Sequence, residues 1–99
     1  MFVAVSHFTI ANETETAVAE AFRLRPHEVD HQPGFVRMEV WNPTDDGRCF
    51  MLVTWWQSPD DFHAWHRSHA YKAAHRDMPK GLKLVPGSTR IEHYTLLCE

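Results

Sequence analysis

The chain has 99 residues, 43% of them hydrophobic, and a formal charge of −3 with histidine neutral. Such a length predicts one domain, residues 1–99, with a modest core that pairing with a second copy would enlarge. The sequence has no basic stripe of the kind that tracks a nucleic-acid backbone, and no apolar run of the roughly 18 residues a membrane span needs.

In chain order, Met1 to Ile10 is apolar but has no basic n-region and no small-residue cleavage site. It reads as a strand and not a signal peptide, so the cytoplasm is the expected compartment. Phe2, Ala4, Ser6, Phe8 and Ile10 share one face of that strand; Val3, Val5, His7 and Thr9 share the other. Asn12 is the expected cap of a first helix, with Glu15 three residues on as in a capping box. Ala17, Val18, Ala21, Phe22 and, at its end, Leu24 are expected to form its apolar stripe. Pro26 should kink or interrupt that helix near Arg25, and the segment closes by Pro33-Gly34. Phe35–Trp41 and Cys49–Trp56 are strands joined by the turn cluster Asn42-Pro43-Thr44-Asp45-Asp46-Gly47. Ser58-Pro59-Asp60-Asp61 is a helix start: a capping hydroxyl, proline at the first helical position, and acids in the first turn. Ser68 predicts a break near Arg67 and a second short helix from His69 to about Arg76. A loop from Met78 to Gly87 and a last strand from Thr89 to Cys98 complete the chain.

Strand, helix, strand, strand, helix, strand is the α+β, ferredoxin-like βαββαβ order. Helices on one side of the sheet leave its other face partly apolar, with Val36, Met38, Trp41, Val53 and Trp55 as candidates for that face. A second copy could cover it, so a homodimer is expected. Cys49 and Cys98 make neither a CxxC pair nor a metal spacing and are expected to be reduced, buried thiols.

Eight histidines are present, four of them between positions 63 and 75. His63, His66 and His69 could converge on zinc if they shared one helix, but Ser68 should break it and no further ligand completes a motif. Solvated polar histidines are the plainer reading. A hydrolase would need a nucleophile elbow such as GxSxG, and a dinucleotide fold a GxGxxG; neither is present. What remains is Trp65 with His75. The indole offers a flat apolar wall and the imidazole a nitrogen of the kind that ligates haem iron. Tyr71 and the small Ala70, Ala73 and Ala74 lie between them and leave room for a large planar ligand. Spacing alone equally allows Trp65 as core and His75 as a solvated helix residue.

Pro33-Gly34-Phe35, Val53-Thr54-Trp55-Trp56, the run from Ser58 to Trp65, and Tyr71-Lys72-Ala73-Ala74-His75-Arg76 together resemble the antibiotic biosynthesis monooxygenase superfamily. Within it, the likeness is nearest to the Isd-type haem-degrading monooxygenases. It runs from Phe2 to about Arg76 and returns weakly in the last strand. The resemblance implies a dimer whose sheets form a joint α/β barrel, and an Asn, Trp and His trio at the active site. Trp65 matches the tryptophan that ruffles the porphyrin, and His75 the histidine that ligates iron. Haem would then be substrate and cofactor, oxygen the co-substrate, and an external reductant the electron source. The products would be an open tetrapyrrole and free iron. No flavin or nicotinamide site is visible, and the electron donor is not identified. Phe22, Phe62 and Tyr71 are the further residues expected against the ligand. The family's asparagine falls on Ser6, whose hydroxyl can donate one hydrogen bond but lacks the amide's second group. His7 should face the other way. Two other readings follow from the same resemblance. One is a cofactor-independent monooxygenase acting on an aromatic or polyketide-type substrate in a pocket of Phe8, Phe22, Phe62 and Trp65. The other is a dimer that binds haem or another hydrophobic ligand without turnover.

Overall fold

Alternating residues make β1 (Phe2–Thr9) a strand, and it is one of the two inner strands of the sheet. In the computed structural model, which describes residues 1–68, 71 and 78–99, β1 pairs with β3 (Cys49–Trp56) on one side and β4 (Arg90–Thr95) on the other. With β2 (Phe35–Trp41) the strand order is β2-β3-β1-β4, and every neighbouring pair is antiparallel. The helices are α1 (Glu15–Arg23) and α2 (Pro59–His66), with a short 3-10 turn at Glu28–His31. This is the ferredoxin-like arrangement.

The β2–β3 hairpin and the start of α2 match their local signals. Asn42 Nδ2 donates to the Cys49 carbonyl at 2.7 Å, tying the loop ends together. The Ser58 hydroxyl accepts from the Asp61 amide at 3.2 Å and donates to the Asp61 carboxylate at 2.9 Å. The helix stops at Arg67, where the Ser68 hydroxyl donates to the Trp65 carbonyl at 2.6 Å and accepts from the Tyr71 amide at 3.1 Å. The short helix expected over His69 to Arg76 lies, except for Tyr71, outside the described residues.

Asn12 does not cap α1. Glu13 adopts a left-handed backbone, φ 60°, and the helix begins at Glu15 behind Thr14. Asn12 instead ties the chain to a distant loop: Nδ2 donates to the Gly81 carbonyl at 2.6 Å, and Oδ1 accepts from the Lys83 amide at 3.2 Å. An Asn side chain serves whichever backbone groups come within reach, and here those belong to another segment. Of the two outcomes expected at Pro26, interruption holds and a kink does not: α1 ends at Arg23, and Leu24 just past its end is 74% exposed and not part of the apolar stripe.

Gly34 explains the Pro-Gly-Phe turn. Its φ is 78°, and a Cβ there would overlap the Asp61 carboxylate of α2. Its carbonyl accepts from the Gln57 amide at 2.8 Å. The turn is therefore what lets α2 sit down on the end of the hairpin.

Both helices cover the same sheet face. Phe2, Ala4, Val29, Trp56, Phe62 and Trp65 form one buried cluster; Ile10, Val18 and Phe50 form another. The strand registers put Val3, Val5, Trp41, Val53, Trp55 and Tyr94 on the opposite face. Met38 is not there: it packs against the first core cluster. An irregularity between Phe35 and Arg37, at Val36, shifts the alternation, so Phe35, Met38 and Val40 all turn toward the helices. Both cysteines are free as expected, but neither is buried: Cys49 is half-buried and Cys98 exposed. Among the described residues, no helix is long and apolar enough to cross a membrane.

Candidate functional site

The helix-covered face does not fill completely. A cleft of about 370 Å³ opens between the sheet and its helices, within the usual size range of small-molecule sites. Its floor comes from Ser6, Phe8, Met38, Leu52, Thr54 and Ile91. One wall is Phe22 with the connection Arg25 to Val29. The other is Phe62, Trp65, His66 and Tyr71, and the loop residues Met78, Leu82 and Leu84 close one end.

The sheet register explains the floor. Ser6 is opposite Leu52 on β3 and Ile91 on β4, so its hydroxyl has apolar neighbours on both sides, and the other hydroxyl of the floor, Thr54, donates to the Ala4 carbonyl at 3.5 Å. Among the described residues, no hydrogen bond engages the Ser6 hydroxyl. The imidazole of the neighbouring His7 meets Glu92, with Nε2 2.6 Å from Oε1. Glu92 is the cross-strand partner of Val5, so the ion pair is on the other face of the sheet, although His7 also borders the cleft.

The aromatic walls are held by ring packing. Trp65 is 8% exposed, and its indole meets the Tyr71 ring edge-on at 5.7 Å and 85°. Phe62 is 6% exposed, edge-on to Trp56 at 5.9 Å. Phe22 leans on Phe8 at 6.2 Å and Phe50 at 5.9 Å. Trp65 is thus both core and wall: packing fixes it from behind while it fronts the cleft. Burial pushes the Tyr71 phenol above its ordinary value, so it stays a neutral hydroxyl.

The mouth is polar. Arg25 and His27 share the Asp30 carboxylate, with Arg25 Nη1 2.9 Å from Oδ1 and His27 Nδ1 3.0 Å from Oδ2. Burial pushes the Asp30 carboxyl up, but the hydrogen bonds and charges of Arg25 and His27 outweigh it. The net displacement is below the ordinary value.

Of the residues singled out from sequence, Ser6, Phe8, Phe22, Phe62, Trp65 and Tyr71 meet at this cleft. His75 and His69 lie outside the described residues. His63 and His66 are not solvated polar residues: both are half-buried and in contact with aromatic rings. Among the described residues, no group of three or more His, Cys, Asp or Glu is arranged to hold a metal ion. Sequence reasoning missed the Arg25–Asp30–His27 mouth, although its close spacing is a usable signal.

Sheet, helices and cleft together define a small α+β protein of the ferredoxin-like kind with an aromatic, ligand-sized site. The sequence profile of the antibiotic biosynthesis monooxygenase family matches residues 1–77, and the chain belongs to that family. A staphylobilin-producing haem oxygenase of Staphylococcus haemolyticus is 32% identical over 82 residues, 81% of this chain and 78% of that protein. A mycobilin-producing haem oxygenase of Mycobacterium tuberculosis is 33% identical over 78 residues, covering 77% and 70%. Among solved structures, the haem degrader MhuD of Mycobacterium tuberculosis, with two haems in its active site, superimposes with a TM-score of 0.79 at 20% identity, over 100% of this chain and 98% of that one. SnoaB, a cofactor-independent oxygenase of Streptomyces nogalater, gives a TM-score of 0.76 at 16% identity, over 99% and 94%.

Proposed function

We propose that this protein binds haem and degrades it as an oxygen-dependent monooxygenase, and that it acts as a homodimer. The observation that carries the reading is the aromatic cleft, with the Ser6 hydroxyl on a mostly apolar floor and a buried indole, Trp65, in its wall. The cleft fits the substrate chemically: a large flat apolar ring needs an apolar slot, and its acidic side chains need a polar mouth such as the one Arg25 and His27 provide. The kinship with haem oxygenases at about 30% identity supports the same chemistry.

Bound haem supplies an iron centre at which oxygen is activated with electrons from an external reductant. The chain supplies the setting. His75 is the proposed iron ligand through an imidazole nitrogen. Trp65, packed in the core and edge-on against Tyr71, would press on a bound porphyrin and favour its distortion from planarity. The Ser6 hydroxyl donates one hydrogen bond toward the centre of the site. Phe22 and Phe62 keep water off the ring. In the dimer, Trp41, Trp55 and Tyr94 of the open sheet face meet their counterparts in the second copy; Trp41 is 44% and Tyr94 49% exposed.

Haemin titration tests the reading. A saturable Soret band that disappears in His75→Ala is expected, and no Soret shift with the wild type overturns haem binding. Ascorbate in air then tests turnover. Bleaching of the band is expected; a band that persists leaves a binder without oxygenase activity.

A further inference from the structure

α2 and β4 bring together two histidines that lie thirty positions apart. His63 sits on α2; His93 sits on β4 opposite Ala4, on the helix-covered side of the sheet. Their ring centroids are 5.7 Å apart and their planes cross at 72°. Phe2 packs against them at 6.3 and 5.2 Å, and Phe62 at 5.4 and 5.6 Å. Packing alone would be served as well by four phenyl rings. Among the described residues, neither imidazole makes a hydrogen bond or an ion pair, so neither is there to satisfy a polar neighbour. His93 is exposed and His63 half-buried, which leaves their nitrogens reachable from solvent.

We propose that His63 and His93 together bind a divalent transition-metal ion. With metal–nitrogen bonds of about 2.0–2.1 Å and each nitrogen about 1.1 Å from its ring centre, two imidazoles on one ion have centroids about 5–6 Å apart at tetrahedral or wider angles. The observed 5.7 Å falls in that interval. With no third protein ligand among the described residues, water completes the shell. The site is therefore open and selects borderline ions such as Zn²⁺ and Cu²⁺ over hard ions such as Mg²⁺. Its consequence is mechanical. The ion ties α2, which carries Phe62 and Trp65 of the cleft wall, to β4, whose Ile91 lies in the cleft floor. This inference stands apart from the haem reading, because neither histidine is among the residues proposed to touch haem.

The test titrates the whole chain with Zn²⁺ by calorimetry, and with Cu²⁺ by electron paramagnetic resonance. One saturable Zn²⁺ site is expected, weakened at least about tenfold in His63→Gln and in His93→Gln, and unchanged in His75→Ala. The Cu²⁺ spectrum should show two coupled nitrogens in the wild type and one in either glutamine variant. Zn²⁺ should also raise the melting temperature of the wild type and not of those variants. Melting without metal checks that each variant is folded; if one is not, the other decides. Equal Zn²⁺ affinity in wild type and variants, loss only in His75→Ala, or non-saturating heat from adventitious ions only would overturn the proposal.

Discussion

Gly34→Ala is expected to destabilise the protein out of proportion to one added methyl group. Two costs are legible at that position. At φ 78° an L side chain crowds its own carbonyl, which costs about 1–2 kcal/mol. The new Cβ would also overlap Asp61 Cγ and Oδ2 and lie 2.6 Å from Asp61 Cβ. Relief requires Asp61 to move, and Asp61 holds both hydrogen bonds of the Ser58 cap, worth about 1 kcal/mol. The sum is about 2–3 kcal/mol, and a domain of this size loses about 4–8 °C of melting temperature per kcal/mol. Thermal unfolding followed by circular dichroism should therefore show a fall of roughly 10–20 °C. Gly34→Asn separates the causes: asparagine tolerates left-handed backbone but still meets Asp61. If the contact matters, the asparagine variant fails as well. A Gly34→Ala protein melting within about 2 °C of the wild type would refute both terms.

At the site, Ser6→Asn should speed haem loss in single turnover with ascorbate, because the second amide group is restored; equal rates for the two proteins would remove Ser6 from the reaction. Trp65→Phe should slow cleavage and leave the bound ring flatter by resonance Raman spectroscopy, whereas an unchanged rate would make Trp65 packing only. Asp30 has a folded-state pKa below its ordinary 3.8. Its contribution to stability is thus fully present above that value and is lost as pH falls through the lower, folded one. Urea midpoints measured down the acid limb should lose that component in Asp30→Asn, and an identical pH profile would show that the Arg25–Asp30–His27 cluster adds nothing. Trp41→Glu puts a charge on the open sheet face and should convert a dimer to a monomer by light scattering; an unchanged mass would move the interface elsewhere.

How much was legible depended on how local the cause was. β2, β3 and the start of α2 matched because their signals are self-contained: a turn cluster between two alternating runs, and a serine whose capping partner is three residues away. Asn12 was misassigned because its true partners, Gly81 and Lys83, lie about seventy residues on. Met38 was grouped with Trp41 although alternation separates them; what alternation cannot register is the irregularity at Val36, which brings Phe35 to the same face as Met38. Ser6, Phe22, Phe62, Trp65 and Tyr71 could be named as ligand-facing, yet nothing in their spacing sets the distance between them.

Sequence by itself determined the order of elements, the identity of the strands and the family, because periodicity, capping and motif residues act within a few positions of one another. Tertiary structure alone decided that segments far apart in the chain enclose one cleft, that the Asp61 carboxylate occupies the space beside Gly34, and that the rings of His63 and His93 meet. These are contacts between residues far apart in the chain, fixed by how helices settle on a twisted sheet, and no short-range pattern encodes them.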